Sequence, residues 1–298
     1  MENTEPVPRT VEIEELTNLY FIHPVASRLV RLFAKLRVTP NVVSLVGMLC
    51  GVLAGVAYYH YRELPCTIAG FVLMVAWHVM DGADGQLARL THAQSDFGKV
   101  LDGICDYVTF IAVYSTLAMA LSLEWGDWVW ALVVTAGLCH AVQSAAYEVQ
   151  REEYDFWGRE RKSAGVAEPD TPRQDGAGAL RREQLSALLY RLYVRLQFLT
   201  AGVTLQFREK LTATLEREPR RAAFIRRRYR ERFAPTVRQW SVLSANYRTI
   251  GLFIGALLKV PQYYFVFEIV GFSAILIILI SRNRAGYALF FDDLGAAE

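Results

Sequence analysis

The chain has 298 residues, 53% of them hydrophobic and 21% charged, with a net charge of +2 and a mean hydropathy of +0.20. That balance fits a membrane protein with a substantial polar portion and argues against a pair of ordinary soluble domains. Cys50, Cys66, Cys105 and Cys139 stand singly with no CxxC pair, which excludes the usual zinc and dithiol patterns and leaves packing roles. The opening MENTEPVPRTVEIEE is acidic where a basic n-region would stand, so no cleavable signal peptide is expected.

The first expected region is an N-terminal amphipathic segment, 1–41. Within it, 12–36 reads as a helix: Leu16, Leu19, Tyr20, Val25, Leu29, Leu32 and Phe33 are apolar, and Arg28, Arg31 and Lys35 lie between them. Such a helix suits the headgroup plane, its basic residues near lipid phosphate, and Pro40 ends it. Six spans are predicted after it. Four fall in the second region, 42–149: residues 42–61, a span from Pro65 to about 90, 99–122 and 128–149. The last two, 242–260 and 262–281, fall in a final region, 242–298. The apolar run after Pro65 is too short to cross alone, so that helix must continue through Asp81 to about Leu90. Tyr58, Tyr59, Tyr61, Trp125, Trp128, Tyr263 and Tyr264 read as an outer interfacial belt.

Between the fourth and fifth spans lies a basic insert, 150–241, with 20 Lys or Arg against 12 Asp or Glu over 150–240. Residues 163–179 are small, polar and rich in Pro and Gly, as in a linker, and 181–217 has helical periodicity. The run 220–233 interleaves Phe224, Ile225, Tyr229 and Phe233 with arginines. It reads either as a solvated helix or as a surface gripping anionic headgroups; a nucleic-acid role sits poorly beside six spans. Arg28, Arg31, Lys35 and Arg37 before the first span, Arg89 and Lys99 around the 90–98 loop, and Arg282 and Arg284 after the last span place these ends in the cytoplasm. The loops 60–65 and 123–127 together carry only Arg62. The expected fold is thus all-α and polytopic, with six transmembrane helices, an interfacial helix and a helical cytoplasmic insert. Both termini and the polar motif face the cytoplasm, and a bacterial inner membrane is the expected setting.

The polar motif is DGADGQLARLTHAQSDFGKVLDGICD, 81–106. Asp81 and Asp84 are three apart and Asp102 and Asp106 four apart, so each pair shares a helical face, and the short 90–98 loop makes the two helices an antiparallel hairpin. A carboxylate at mid-bilayer costs roughly 2.5–3.5 kcal/mol on insertion scales, so four of them need a partner, and divalent cations are the natural one. Oxygen-only ligands favour Mg²⁺, Mn²⁺ or Ca²⁺ over zinc, and two such ions can flank a phosphate. Glycines 82, 85, 98 and 103 allow close approach, Arg89 can meet a phosphate bidentately, and Thr91 and Ser95 supply hydroxyls.

The run Asp-x-x-Asp-Gly-x-x-Ala-Arg-x8-Gly-x3-Asp-x3-Asp resembles the signature of the CDP-alcohol phosphotransferase (phosphatidyltransferase) family, with every position filled: Asp81, Asp84, Gly85, Ala88, Arg89, Gly98, Asp102 and Asp106. TPNVVS, 39–44, resembles the element that opens this family's first span, and the resemblance covers about 38–150. It implies six transmembrane helices, commonly a homodimer, two Mg²⁺ or Mn²⁺ ions, a CDP-alcohol donor, and a lipid or polar alcohol acceptor, with CMP released into phospholipid or related synthesis. It implies metal ligation by Asp81, Asp84, Asp102 and Asp106, with Asp106 also the general base. Gly85, Arg89 and Ser95 would contact the CDP part, with Asn41 and Ser44 nearby and Ala88 and Gly98 leaving room. The first half with Gly82 is similar to members acting on inositol phosphates and to some choline or ethanolamine transferases. A divalent-cation transporter and a non-catalytic scaffold are the competing readings. The clustering of the acids at one end weighs against a transport path, and the complete acid set against a scaffold.

Around the motif, His78 lies three before Asp81 and reads either as a packed histidine or as a support for the ligands. Asp96 reads as a solvated loop residue. His140, Gln143 and Tyr147 form a stripe suited to interhelical hydrogen bonding or to the acceptor; Asn246 and Arg248 open the fifth span, where the cation would grip an acceptor phosphate or snorkel. Glu268, deep in the sixth span, requires a partner or a cavity.

Overall fold

A computed structural model of the chain describes residues 10–160 and 200–295. Among these residues all regular structure is helical, with no strand. In chain order the helices are α1 (His23–Lys35), α2 (Pro40–Tyr59), α3 (Leu64–Leu90), α4 (Asp96–Trp125), α5 (Trp128–Arg159), α6 (Leu205–Arg217), α7 (Ala222–Trp240), α8 (Ala245–Leu257) and α9 (Pro261–Gly295). The linker 163–179 and the leucine repeat before residue 200 lie outside the described residues.

Five helices, α2, α3, α4, α5 and α9, are long and apolar enough to cross a membrane. The expected fifth span is a helix of 13 residues, α8, about 20 Å long, so it falls short of that length class. Two spans are longer than their apolar stretches. α5 continues to Arg159 and α9 to Gly295, because nothing after their apolar runs breaks the helical period. The expected single helix over 12–36 is three pieces: a 3₁₀ turn Val11–Ile13, a π-helical stretch Asn18–Ile22 and α1.

The chain divides into two compact units, Met1–His140 with Ala245–Gly271, and Ala141–Ser244 with Phe272–Glu298. In the first unit α3 and α4 pack on α2, and α1 and α8 pack on α3. Gly51 and Gly55 make the α2–α4 approach possible. A Cβ on Gly51 would overlap the Thr109 side chain, and one on Gly55 would lie 3.0 Å from the Ala112 carbonyl. Close backbone approach through small residues is how helices gain contact where lipid supplies no hydrophobic drive. Three expected belt residues, Tyr58, Tyr61 and Tyr264, are instead buried while Trp125, Trp128 and Tyr263 face out; the helical period turns Tyr58 and Tyr264 inward, and Tyr61 lies in the turn after α2. Tyr58 fills the space left at Gly70.

The second unit is a helical bundle around Phe207, Tyr229, Phe233, Tyr287 and Phe290. Ring centroids lie 4.1 Å apart for Phe207 and Tyr287 and 4.6 Å for Tyr229 and Phe233. Burial, aided by Tyr287 and Glu153, holds the Tyr229 phenol well above its usual range. α7 runs antiparallel to α9: Arg282 donates to Gln239 at 2.9 Å, Phe233 meets Tyr287, and Tyr229 meets Phe290. From Arg282 to Phe290 the α9 axis rises about 12 Å. The basic face of α7, with Arg220, Arg227, Arg228, Arg232 and Arg238 on or beside it and exposed, therefore runs beside the C-terminal part of α9. The apolar stripe of α7, Ile225, Tyr229, Phe233 and Val237, is buried against protein.

Candidate metal centre

α3 carries Asp81 and Asp84 in its last third, and α4 carries Asp102 and Asp106 in its first third. The connecting turn is short, and the Ser95 side chain caps α4 by accepting from the Gly98 amide at 3.0 Å. The two motif helices are thereby antiparallel, and their acidic ends coincide.

Asp81, Asp102 and Asp106 converge: one carboxylate oxygen from each lies within 4.8 Å of the others, and all three residues are half-buried. A cation about 2.1 Å from each of three oxygens separates them by up to about 4.2 Å, so small adjustment suffices to share an ion. The donors are carboxylates only, hard ligands that suit Mg²⁺ or Mn²⁺. Asp84 is outside this trio. It is buried, and its Oδ2 accepts from the Ser44 hydroxyl at 2.5 Å, which ties α3 to the first turns of α2. The rotation of about 100° per helical residue explains the split, since Asp84 is turned about 60° from Asp81, toward α2.

The other expected residues lie on α2, on α3 and at the start of α4. Arg89 folds back along α3 so that its Nη1 lies 3.5 Å from where a Cβ on Gly85 would be. Asn41 Oδ1 lies 3.4 Å from the corresponding position on Gly98, so the start of α2 touches the start of α4. Ala88 is half-buried on α3. Ser95 spends one acceptor site on its cap, and Asp96 is exposed, paired with Lys99 at 3.1 Å.

His140 and Arg248 belong to a different cluster. Arg248 and Glu268 are fully buried and form an ion pair; the Tyr114 hydroxyl donates to Glu268 at 2.6 Å and lies 3.0 Å from His140 Nδ1. Glu268 thus has its partner. His78 lies 2.9 Å from the Thr249 hydroxyl. In the second unit Gln143 donates to Ser273 at 3.1 Å. Sequence reasoning passed over Tyr114, Thr249 and the inward-facing Glu14, Glu15 and Asn18. The available signal was the 14/18 spacing, which puts two polar groups on one face of a segment read as an amphipathic helix.

Long apolar helices and a carboxylate cluster at the joined ends of two of them define an integral membrane protein, all-helical among the described residues, with three carboxylates placed where they could hold a metal ion. Comparison with known proteins narrows the class: residues 37–165 match the model of the CDP-alcohol phosphatidyltransferase family. The chain is 31% identical over 103 residues to an uncharacterised CDP-alcohol phosphatidyltransferase class-I family protein 2 of Dictyostelium discoideum, covering 32% of this chain and 25% of that protein. It is 31% identical over 98 residues to the archaetidylinositol phosphate synthase of Pyrococcus horikoshii, covering 33% and 50%. It is 29% identical over 99 residues to the bifunctional IPC transferase and DIPP synthase of Aquifex aeolicus, covering 33% and 22%. The chain therefore spans half or less of the length of these relatives.

Proposed function

We propose that the protein transfers the phosphate-linked group of a CDP-alcohol to a hydroxyl acceptor and releases CMP, in the synthesis of a phospholipid or related phospho-alcohol. The observation that carries this reading is the convergence of Asp81, Asp102 and Asp106 within the matched domain. Two divalent cations, Mg²⁺ or Mn²⁺, would neutralise the diphosphate and polarise its phosphoryl oxygens when bound. Asp81, Asp84 and Asp102 would hold them, with Asp106 completing the set. Ser44 holds Asp84 Oδ2, so Asp84 would join the set through its other oxygen. Arg89 would pair with a phosphate oxygen, and Asn41, Ser44, Gly85, Ala88, Ser95 and Gly98 would border the cytidine diphosphate. Asp106 would take the proton of the acceptor hydroxyl, a role that typically contributes 10²–10⁴-fold.

In this reading α8 crosses as a short fifth span between protein neighbours, which gives six spans and leaves both termini on the motif side. That side is the cytoplasm by the placement of Arg28, Arg31, Lys35 and Arg37, with α1 at the interface and the inner membrane of a bacterium as the setting. The four regions 1–41, 42–149, 150–241 and 242–298 then serve as interfacial segment, catalytic spans, cytoplasmic insert and closing spans. A homodimer is the assembly this reading expects. The names of the Pyrococcus and Aquifex relatives favour a polar acceptor of the inositol phosphate kind as one candidate beside lipid acceptors. Arg248 is held by Glu268, so it serves an acceptor only by sharing that carboxylate.

The test is CMP release by the purified protein in nanodiscs supplied with labelled CDP-linked donors and candidate acceptors. Turnover is expected to stop in EDTA and return with Mg²⁺ or Mn²⁺. Full turnover in chelator would remove the metal-dependent mechanism.

A further inference from the structure

The N-terminal segment is inverted relative to an ordinary amphipathic helix. Leu16, Tyr20 and Phe21 are 49%, 75% and 53% exposed, while Glu14 and Glu15 are each 5% exposed. The inward polar groups are joined to one another and to α8. Asn18 donates to Glu14 at 3.0 Å, Asn246 donates to Glu15 at 2.6 Å and to the Asn18 side chain at 2.8 Å, and His23 Nε2 lies 3.5 Å from Glu14. Polar groups turned inward beside apolar spans mark a working surface by default, and π-helical stretches such as Asn18–Ile22 recur at such surfaces.

This polar layer reaches α3 beside the acids. Gly82, next to Asp81, is where the segment packs: a Cβ there would stand 3.3 Å from Ile22 Cγ2, 3.6 Å from Ala26 Cβ and 3.8 Å from His23 Nδ1. His78 and Gly82 share one face of α3, toward Thr249 of α8 and toward the segment. Asp84, about 120° round the helix from His78, faces Ser44 of α2. Asp81 lies between these flanks. The α2 flank holds the residues proposed to border the donor, and the opposite flank is built from the N-terminal segment and the first turn of α8. In-line displacement brings the incoming hydroxyl from the side away from the leaving group.

We propose that the segment Thr10–Ala26 forms the acceptor wall of the site, and that His23, braced by Glu14, hydrogen-bonds a hydroxyl of a polyol acceptor. This rests on the transferase reading above. His23 is the more accessible member of its pair with Glu14, its side chain 20% accessible against 5%. The layer offers carboxylates, carboxamides and an imidazole, and Arg248 nearby is engaged by Glu268, so it suits hydroxyls better than a phosphate. Asn18 and Asn246 act as positioning residues that hold Glu14 and Glu15 in register.

The experiment uses the full-length protein in nanodiscs, saturating CDP-diacylglycerol, and two acceptors, myo-inositol and its monophosphate, with CMP release as the readout. Donor binding is measured beside it by calorimetry. His23→Ala is expected to raise the acceptor KM about tenfold for both acceptors, with donor affinity unchanged; His23→Gln and Glu14→Gln, which keep hydrogen-bonding groups in place, should recover most of it. An unchanged acceptor KM, a parallel fall in donor affinity, or a change confined to the monophosphate would each overturn the assignment. Absence of CMP release by the wild-type protein with every donor and acceptor would instead overturn the transferase reading itself.

Discussion

The two units are held together by different chemistry. The first is rich in buried polar groups that satisfy one another: Arg248 with Glu268, Tyr114 with Glu268, His78 with Thr249, and Asn246 with Glu15. Its helices meet through glycines such as Gly51 and Gly55. The second buries a knot of aromatic rings, Phe207, Tyr229, Phe233, Tyr287 and Phe290, beneath an arginine-rich exposed face. Lipid tails are as apolar as a leucine, so spanning helices gain specificity from close backbone contact and from polar pairs. Aromatic rings packed on one another gain instead from the area they bury and from their edge and face contacts. The first arrangement can keep carboxylates poised without collapse, and the acidic trio lies in it.

The largest effect belongs to the acids themselves. On the proposed mechanism Asp106→Asn retains one oxygen ligand and loses the base, so CMP release should fall by about 10²–10⁴-fold with donor binding largely kept. Asp81→Ala should weaken donor binding as well, because the diphosphate loses its bridge. Calorimetry of donor binding beside turnover separates the two variants, and near wild-type turnover by Asp106→Asn would assign the proton to another group.

A smaller effect sharpens the contrast between the units. Glu268→Leu leaves Arg248 as a buried, uncompensated cation, and breaking a buried pair in this way costs about 3–5 kcal/mol. The double change Arg248→Leu with Glu268→Leu should recover most of that, read as the midpoint of unfolding in mixed micelles. A double variant no more stable than the single one would show that the pair does more than neutralise itself. The smallest effect is expected from Phe233→Leu, which preserves apolar volume and loses ring contacts with Phe207, Tyr229 and Tyr287, for about 1 kcal/mol. Hydrogen exchange should show the loss in α6, α7 and the end of α9, with α3 and α4 unaltered; equal loosening of α3 and α4 would contradict the division.

Much of the site was legible before any fold was known, because its spacings are local. Asp81 with Asp84 and Asp102 with Asp106 share helical faces by period alone, and a turn as short as 91–95 leaves the two helices little choice but to lie antiparallel. Span positions for α2, α3 and α4 followed from hydropathy to within about four residues. Other features were hidden because they depend on contacts distant in sequence. Glu268 called for a partner, yet only packing chose Arg248 and Tyr114, and which tyrosines of the expected belt turned inward depended on which neighbours they met. The lengths of α5 and α9 and the rise of α7 along α9 likewise depend on an aromatic core assembled from three separate stretches.

The sequence by itself determined the class of membrane protein, the acidic hairpin and its oxygen-ligand chemistry, since each arises from hydropathy and from residues within one or two helical turns. Only the tertiary structure decided that Asp81, Asp102 and Asp106 form the trio while Asp84 turns to Ser44. It alone decided that Glu14, Glu15 and Asn18 face inward onto α8. The reason is physical: a helix presents its side chains all round, and which of them meet is settled by the helices that pack against it.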